Sequence, residues 1–71
     1  MNVNKLKGKI VECGLTQEKV AEFIGIDRST FCRKMKNKGL EFSVGEMHSI
    51  CRILDLSSED AIGIFLSDKS Q

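Results

Sequence analysis

Residues 28, 29, 32, 33 and 36 have types and spacing suited to one kind of chemistry. They are Arg28, Ser29, Cys32, Arg33 and Lys36, and on an α-helix such intervals fall on one side. That side would carry two guanidiniums, an ammonium, a hydroxyl and a thiol, and no carboxylate. An arginine can bond the outer edge of a guanine through two parallel hydrogen bonds. Arg28 and Ser29, in the first turn, are therefore expected to read base edges. Arg33 is expected to reach a base or a phosphate. Lys34, Lys36 and Lys38 would add salt-sensitive attraction to the phosphate backbone. Gln17, which precedes Arg28 in the sequence, would bond a phosphate through its amide and brace the reading helix.

The residues needed for catalysis are missing. His48 is the single histidine and has no metal-binding partner at ligand spacing. Cys13, Cys32 and Cys51 are an odd set without a CxxC pair, which fits reduced thiols better than a disulfide frame or a structural zinc. Glu18 and Glu22 share a helix face but have no further ligand beside them. Glu59 and Asp60 are suited to a helix start. No glycine-rich phosphate loop follows a strand. The chain is thus expected to be no enzyme, with no metal and no cofactor. An exposed aromatic for base stacking is absent from the basic segment, so duplex DNA is favoured over RNA.

Two short helices must position this chemistry. Thr16 is a good N-cap for a helix over 17–24, with Val20, Ala21 and Ile24 inward and Phe23 partly buried. Gly25 permits a sharp reversal, Ile26 plugs the turn, and Asp27 caps the next helix. That helix runs from Arg28 to Met35 or Lys36 and turns Phe31 and Met35 to the core. The pair reads as a helix-turn-helix whose second helix faces DNA.

The scaffold is expected to be all-α, with five helices and no strand. A first helix spans about 4–13, capped by Asn2 or Asn4 and ended by Gly14, with Leu6, Ile10 and Val11 inward. Lys5, Lys7 and Lys9 read first as a solvated basic face, with phosphate contact by at least one of them as the alternative. Leu40 and Phe42 are expected core residues of the next connection. Ser43 and Glu46 have capping-box spacing and open a fourth helix that buries Met47, Ile50, Cys51 and Leu54. Leu56 closes onto the core. Ser57 caps a fifth helix, with Asp60 at its third position and Ala61, Ile62, Phe65 and Leu66 apolar. The run Ile64-Phe65-Leu66 exceeds what one side of a short helix must bury. It predicts either a latch on the first helix or a dimer patch. The chain from Ser67 onward is expected to fray.

A chain of 71 residues suits one domain, with its core over 4–66. Its hydrophobic fraction of 41% and charged fraction of 30% are ordinary for a folded protein. No run is long enough for a membrane span and no signal-peptide pattern opens the chain, so a cytoplasmic location is expected. The net charge of +1 says little. The first half, to Lys38, is basic and the remainder acidic, which fits a phosphate-facing N-terminal half.

The stretch Leu15-Thr16-Gln17-Glu18-Lys19-Val20-Ala21-Glu22-Phe23-Ile24-Gly25-Ile26-Asp27-Arg28-Ser29-Thr30-Phe31 resembles the helix-turn-helix of the phage Cro and repressor family, the lambda-repressor-like DNA-binding domains. The shared features are a Thr-Gln opening, a Val-Ala pair, a glycine turn, a hydrophobic residue plus cap, and Ser-Thr before an apolar residue. The continuation through Phe42-Ser43-Val44-Gly45-Glu46 resembles a subgroup of short phage or prophage proteins of poorly defined function. Two residues depart from the pattern. Cys32 stands where a larger or hydrogen-bonding residue is common, and Met35 rather than residue 34 carries the late apolar position. The resemblance implies a five-helix domain in which helices 2 and 3 form the motif. It also implies a transcriptional repressor or Cro-like switch, binding double-stranded operator DNA as a homodimer. By position it gives Gln17 the phosphate-binding bracing role, Arg28 and Ser29 the base-reading role, and Arg33 a further place in the groove. The rival expectation is a small helical protein-interaction or anti-repressor module without specific DNA binding.

Overall fold

Each helix begins at a residue able to close its own first turn. The computed structural model describes residues 1–37 and 41–66; Lys38 and Leu40, assigned a phosphate and a core role above, lie outside them, as does the stretch from Ser67. The helices are α1 (Val3–Glu12), α2 (Gln17–Ile24), α3 (Arg28–Lys36), α4 (Val44–Ile53) and α5 (Ser58–Phe65). Among the described residues there is no strand. Asn2, Thr16, Ser43 and Ser57 sit at the N-caps in extended backbone, and each side chain accepts the N–H of the third helical residue. Such a cap typically contributes about 1 kcal/mol. Asp27 has the same backbone conformation but closes no cap bond of this kind. Its carboxylate instead lies by the Thr30 hydroxyl, which is the main reason its pKa falls below the ordinary value.

One residue sets the angle between α2 and α3. Gly25 adopts φ 86° and ψ 21°, where a side chain would cost roughly 1 kcal/mol or more. The Gly25 and Ile26 N–H groups return to carbonyls of the last turn of α2. Ile26 then packs against the core, as the plug expected of it.

The core takes Leu6 and Ile10 from α1, Val20 and Ala21 from α2, and Phe31 and Met35 from α3. Phe42 enters from the connection, Ile50 and Leu54 from α4, and Ile64 from α5. Phe31 and Phe42 meet with ring centroids 5.5 Å apart at 59°. Met47, Ile53, Leu56 and Phe65 are half-buried around this centre.

Four apolar side chains face outward where the sequence offered no reason to place them there. Val11 and Phe23 are exposed: on their helices the turn toward the core is already filled by Ile10 and Val20. On α5 the buried residue is Ile64, while Ile62 and Leu66 point outward. The reason is how α5 meets α1. The Asn2 N–H donates to the Ile64 carbonyl at 2.7 Å, and Lys9 pairs with Asp60 at 2.9 Å. Ile64 is therefore the latch, and the apolar excess that faces outward belongs to its neighbours. Fastening α5 to α1 in this way closes the bundle behind α2 and α3.

Candidate nucleic-acid interface

The outer side of α3 is built by its inner one. Phe31 and Met35 fix the helix against the core, so Arg28, Ser29, Arg33 and Lys36 are left exposed. Within the described residues, Arg28, Ser29 and Lys36 have no side-chain hydrogen bond or ion pair. Their charges and hydroxyl are available to a ligand without first breaking a contact. The helix end adds carbonyl dipoles that favour cations in its last turn, where Arg33, Lys34 and Lys36 stand.

Gln17, in the first turn of α2, is brought against this surface. Its Oε1 accepts a weak hydrogen bond from the Cys32 thiol at 3.8 Å. With the carbonyl oxygen so occupied, the two N–H donors of the amide are directed elsewhere. Thr16, Gln17, Glu18, Arg28 and Cys32 line one shallow polar recess. The recess joins the start of α2 to the start of α3, so an acceptor placed there would meet both Gln17 and Arg28. Cys32, whose place on this side had no evident use in the sequence, is the residue that ties the two helices together here.

Arg33 is differently placed. Its guanidinium lies 3.6 Å from the Glu41 carboxylate, with both side chains substantially exposed. Glu41 also accepts from the Asn37 amide at 2.8 Å. An exposed pair of this kind contributes about 0–1 kcal/mol, so a phosphate can take the place of Glu41 at little cost.

Lys34 does not belong to the exposed basic group expected of it. Its ammonium donates to both Glu46 carboxylate oxygens, at 2.8 and 3.0 Å, and lies 5.7 Å from the centre of the Phe42 ring. The two charged side chains are only 14% and 19% exposed. The cause is Glu46, which closes the capping box of α4 on the Ser43 N–H and so presents a fixed carboxylate to α3. The Lys34 ammonium, with help from the Ser43 N–H, holds the Glu46 pKa below its ordinary value. Glu46→Gln keeps an acceptor for the cap but removes the charge pair. It should cost about 1 kcal/mol near neutral pH, screening included. Because the folded pKa is depressed, this stabilisation is present above the unfolded value, about 4.3. It is lost as pH falls through the lowered one. Urea titrations should therefore show wild type and variant converging in acid; a constant difference down to the lowest pH would disprove the electrostatic account.

The two-ended charge of the sequence is partly cancelled in space. Lys9, Arg33 and Lys34 from the basic half pair with Asp60, Glu41 and Glu46 from the acidic half. Asp60 raises the Lys9 pKa, and Lys9 in turn lowers that of Asp60. The cations left without such a partner among the described residues include Arg28 and Lys36, both on α3. Glu41 and Glu46 were not foreseen as partners of α3. The only hint was that both lie just beyond the basic run.

Among the described residues no cluster of metal-ligating side chains occurs, and no helix is long and apolar enough to cross a membrane. His48 is exposed on α4, and the three cysteines are free thiols. The fold and site together define an all-α five-helix domain that presents a basic helix side beside the start of a second helix. No protein-family model, curated protein or solved structure matches the chain.

Proposed function

We propose that this chain is a sequence-specific double-stranded DNA-binding regulator of transcription, a Cro-like phage or prophage repressor that enters the major groove with α3. The observation that carries this reading is the exposed Arg28, Ser29 and Lys36, free of side-chain partners among the described residues, with Gln17 sharing a recess with Arg28 at the start of the helix. Arg28 and Ser29 read base edges at the N-terminal turn, the part of a recognition helix that reaches deepest. Gln17 bonds a backbone phosphate and fixes how far α3 enters. Lys36 and Arg33 neutralise phosphates further along, Arg33 after exchanging Glu41. Helices α2 and α3, turned about Gly25, act as a helix-turn-helix in a lambda-repressor-like domain. One such domain covers a short stretch of duplex, so two copies on a two-fold operator supply the selectivity.

Selection from a pool of random duplexes tests this directly. The expected result is an enriched two-fold sequence whose half-sites are separated by about one helical turn, 34–36 Å. Recovery of no preferred sequence, with binding indifferent to salt, would instead favour a protein-interaction or anti-repressor module.

A further inference from the structure

The two ends of α3 differ in what their donors hold. At its start Arg28 and Ser29 have no side-chain partner among the described residues, whereas at its end two donors are already taken by one carboxylate. Glu41, in the connection to α4, lies with Oε1 3.6 Å from Arg33 Nη1, and its Oε2 accepts a hydrogen bond from the Asn37 amide at 2.8 Å. Asn37 is the C-cap of α3, four residues after Arg33, so the two donors stand one turn apart on the same side. A guanidinium and an amide bridged by two oxygens that share one negative charge would hold a phosphate diester in the same way. These are the hydrogen-bond and ion-pair partners of the Glu41 side chain among the described residues. Unlike Glu46, Glu41 closes no cap. Its side chain is 41% exposed and that of Arg33 64%, so the contact lies open to solvent on the proposed DNA side.

We propose that Glu41 is an affinity-limiting residue, an internal carboxylate that occupies the place of a DNA phosphate on Arg33 and Asn37 and must leave before the end of α3 can close on a duplex. The inference rests on the proposed DNA reading and adds to it a residue that opposes binding. Opening an exposed pair costs a factor of about two to five. The displaced carboxylate stays tethered to the connection after α3. There the field of the duplex, screened over about 8 Å at physiological salt, still repels it. Together these effects lower affinity by about three- to tenfold. The penalty concerns phosphate alone, so it falls on preferred and unrelated duplexes alike. Glu41 thereby shortens the stay on any duplex and leaves the base preference to Arg28 and Ser29.

Fluorescence anisotropy on the preferred and on an unrelated duplex tests this. Glu41→Gln removes the charge and keeps an acceptor for Asn37; it should bind both duplexes about three- to tenfold more tightly. Glu59→Gln, at an exposed carboxylate in the first turn of α5, measures what the loss of any negative charge does and should give less than about twofold. In an Arg33→Ala background the gain from Glu41→Gln should fall to that of the control, because the competitor has lost its charged target. A gain that survives there in full, one no larger than the control's, or one confined to the preferred duplex would overturn the proposal. Glu41→Ala should repeat the result, and unchanged melting of both variants would show the fold intact. A second arm uses no DNA. Inorganic phosphate, followed by nuclear magnetic resonance at the Asn37 side-chain amide, should act at lower concentration on Glu41→Gln than on wild type. That response, with no duplex bound by any variant, would keep the competition at Arg33 and remove the DNA reading. Duplex binding by wild type, with Glu41→Gln no tighter, would keep the DNA reading and remove Glu41 from it.

Discussion

Phe31→Ala should destabilise the fold by about 3–5 kcal/mol, which is much of what a domain of this size has to lose. Phe31 is fully buried, and its ring packs against Phe42. It is the main anchor of α3, since the only other buried side chain of that helix is Met35. Truncation removes the ring's apolar burial and leaves a cavity between α3 and the α3–α4 connection. The backbone on both sides is fixed by other contacts, so the cavity cannot simply close: Lys34 is tied to Glu46, and Gly25 sets the opposite end of the helix. Phe23→Ala is the control. Phe23 is 58% exposed, and its truncation should cost about 1 kcal/mol or less. Urea denaturation followed by far-ultraviolet circular dichroism would compare the two. Equal losses would mean that α3 is not anchored as described.

Phe23 and Phe31 also show what could and could not be seen in the sequence. Phe31, one turn before Met35, was legible as inward and is fully buried, whereas Phe23, expected half inside, is exposed because Val20 and Ala21 already fill the side of α2 that meets the core. Local features were legible because their cause is local. A Ser or Thr three residues ahead of the N–H it accepts is recognisable as a cap wherever the helix packs, and Thr16, Ser43 and Ser57 behaved so. Gly25 was legible for the same reason: its unusual φ is a property of one residue. The places of Ile62 and Ile64 were not. They lie two positions apart, on nearly opposite faces of a helix, so only one of them can face inward, and which one is fixed by α1 through Asn2 and Lys9. The basic run at the end of α3 looked uniform for a related reason. Lys34 and Lys36 differ in use only because Glu46 returns to one of them. Charge patterns along a chain say little about which charges remain unpaired once it folds.

That distinction makes the DNA reading testable residue by residue. Arg28→Ala should weaken binding to the preferred duplex by about 1–3 kcal/mol, roughly 5- to 150-fold, and should relax the preference at the base pair it reads. Arg28 is exposed, and its loss leaves no unpaired group inside the protein, so the melting temperature should hardly move. Lys36→Ala should weaken binding to all duplexes to a similar degree and reduce the slope of log affinity against log salt by about one. Lys34→Ala should do the opposite of both. Its charge already belongs to Glu46, so the fold should lose stability while the salt slope stays as it is. Fluorescence anisotropy on the selected site and on an unrelated duplex, at several salt concentrations, separates the three outcomes. If Arg28→Ala and Lys36→Ala behaved alike on both duplexes, α3 would be holding phosphates without reading bases. The proposed specificity would then have to lie elsewhere. If Lys34→Ala lowered the salt slope as much as Lys36→Ala, the Lys34–Glu46 pair would have to open on DNA, and α4 would then move whenever α3 binds.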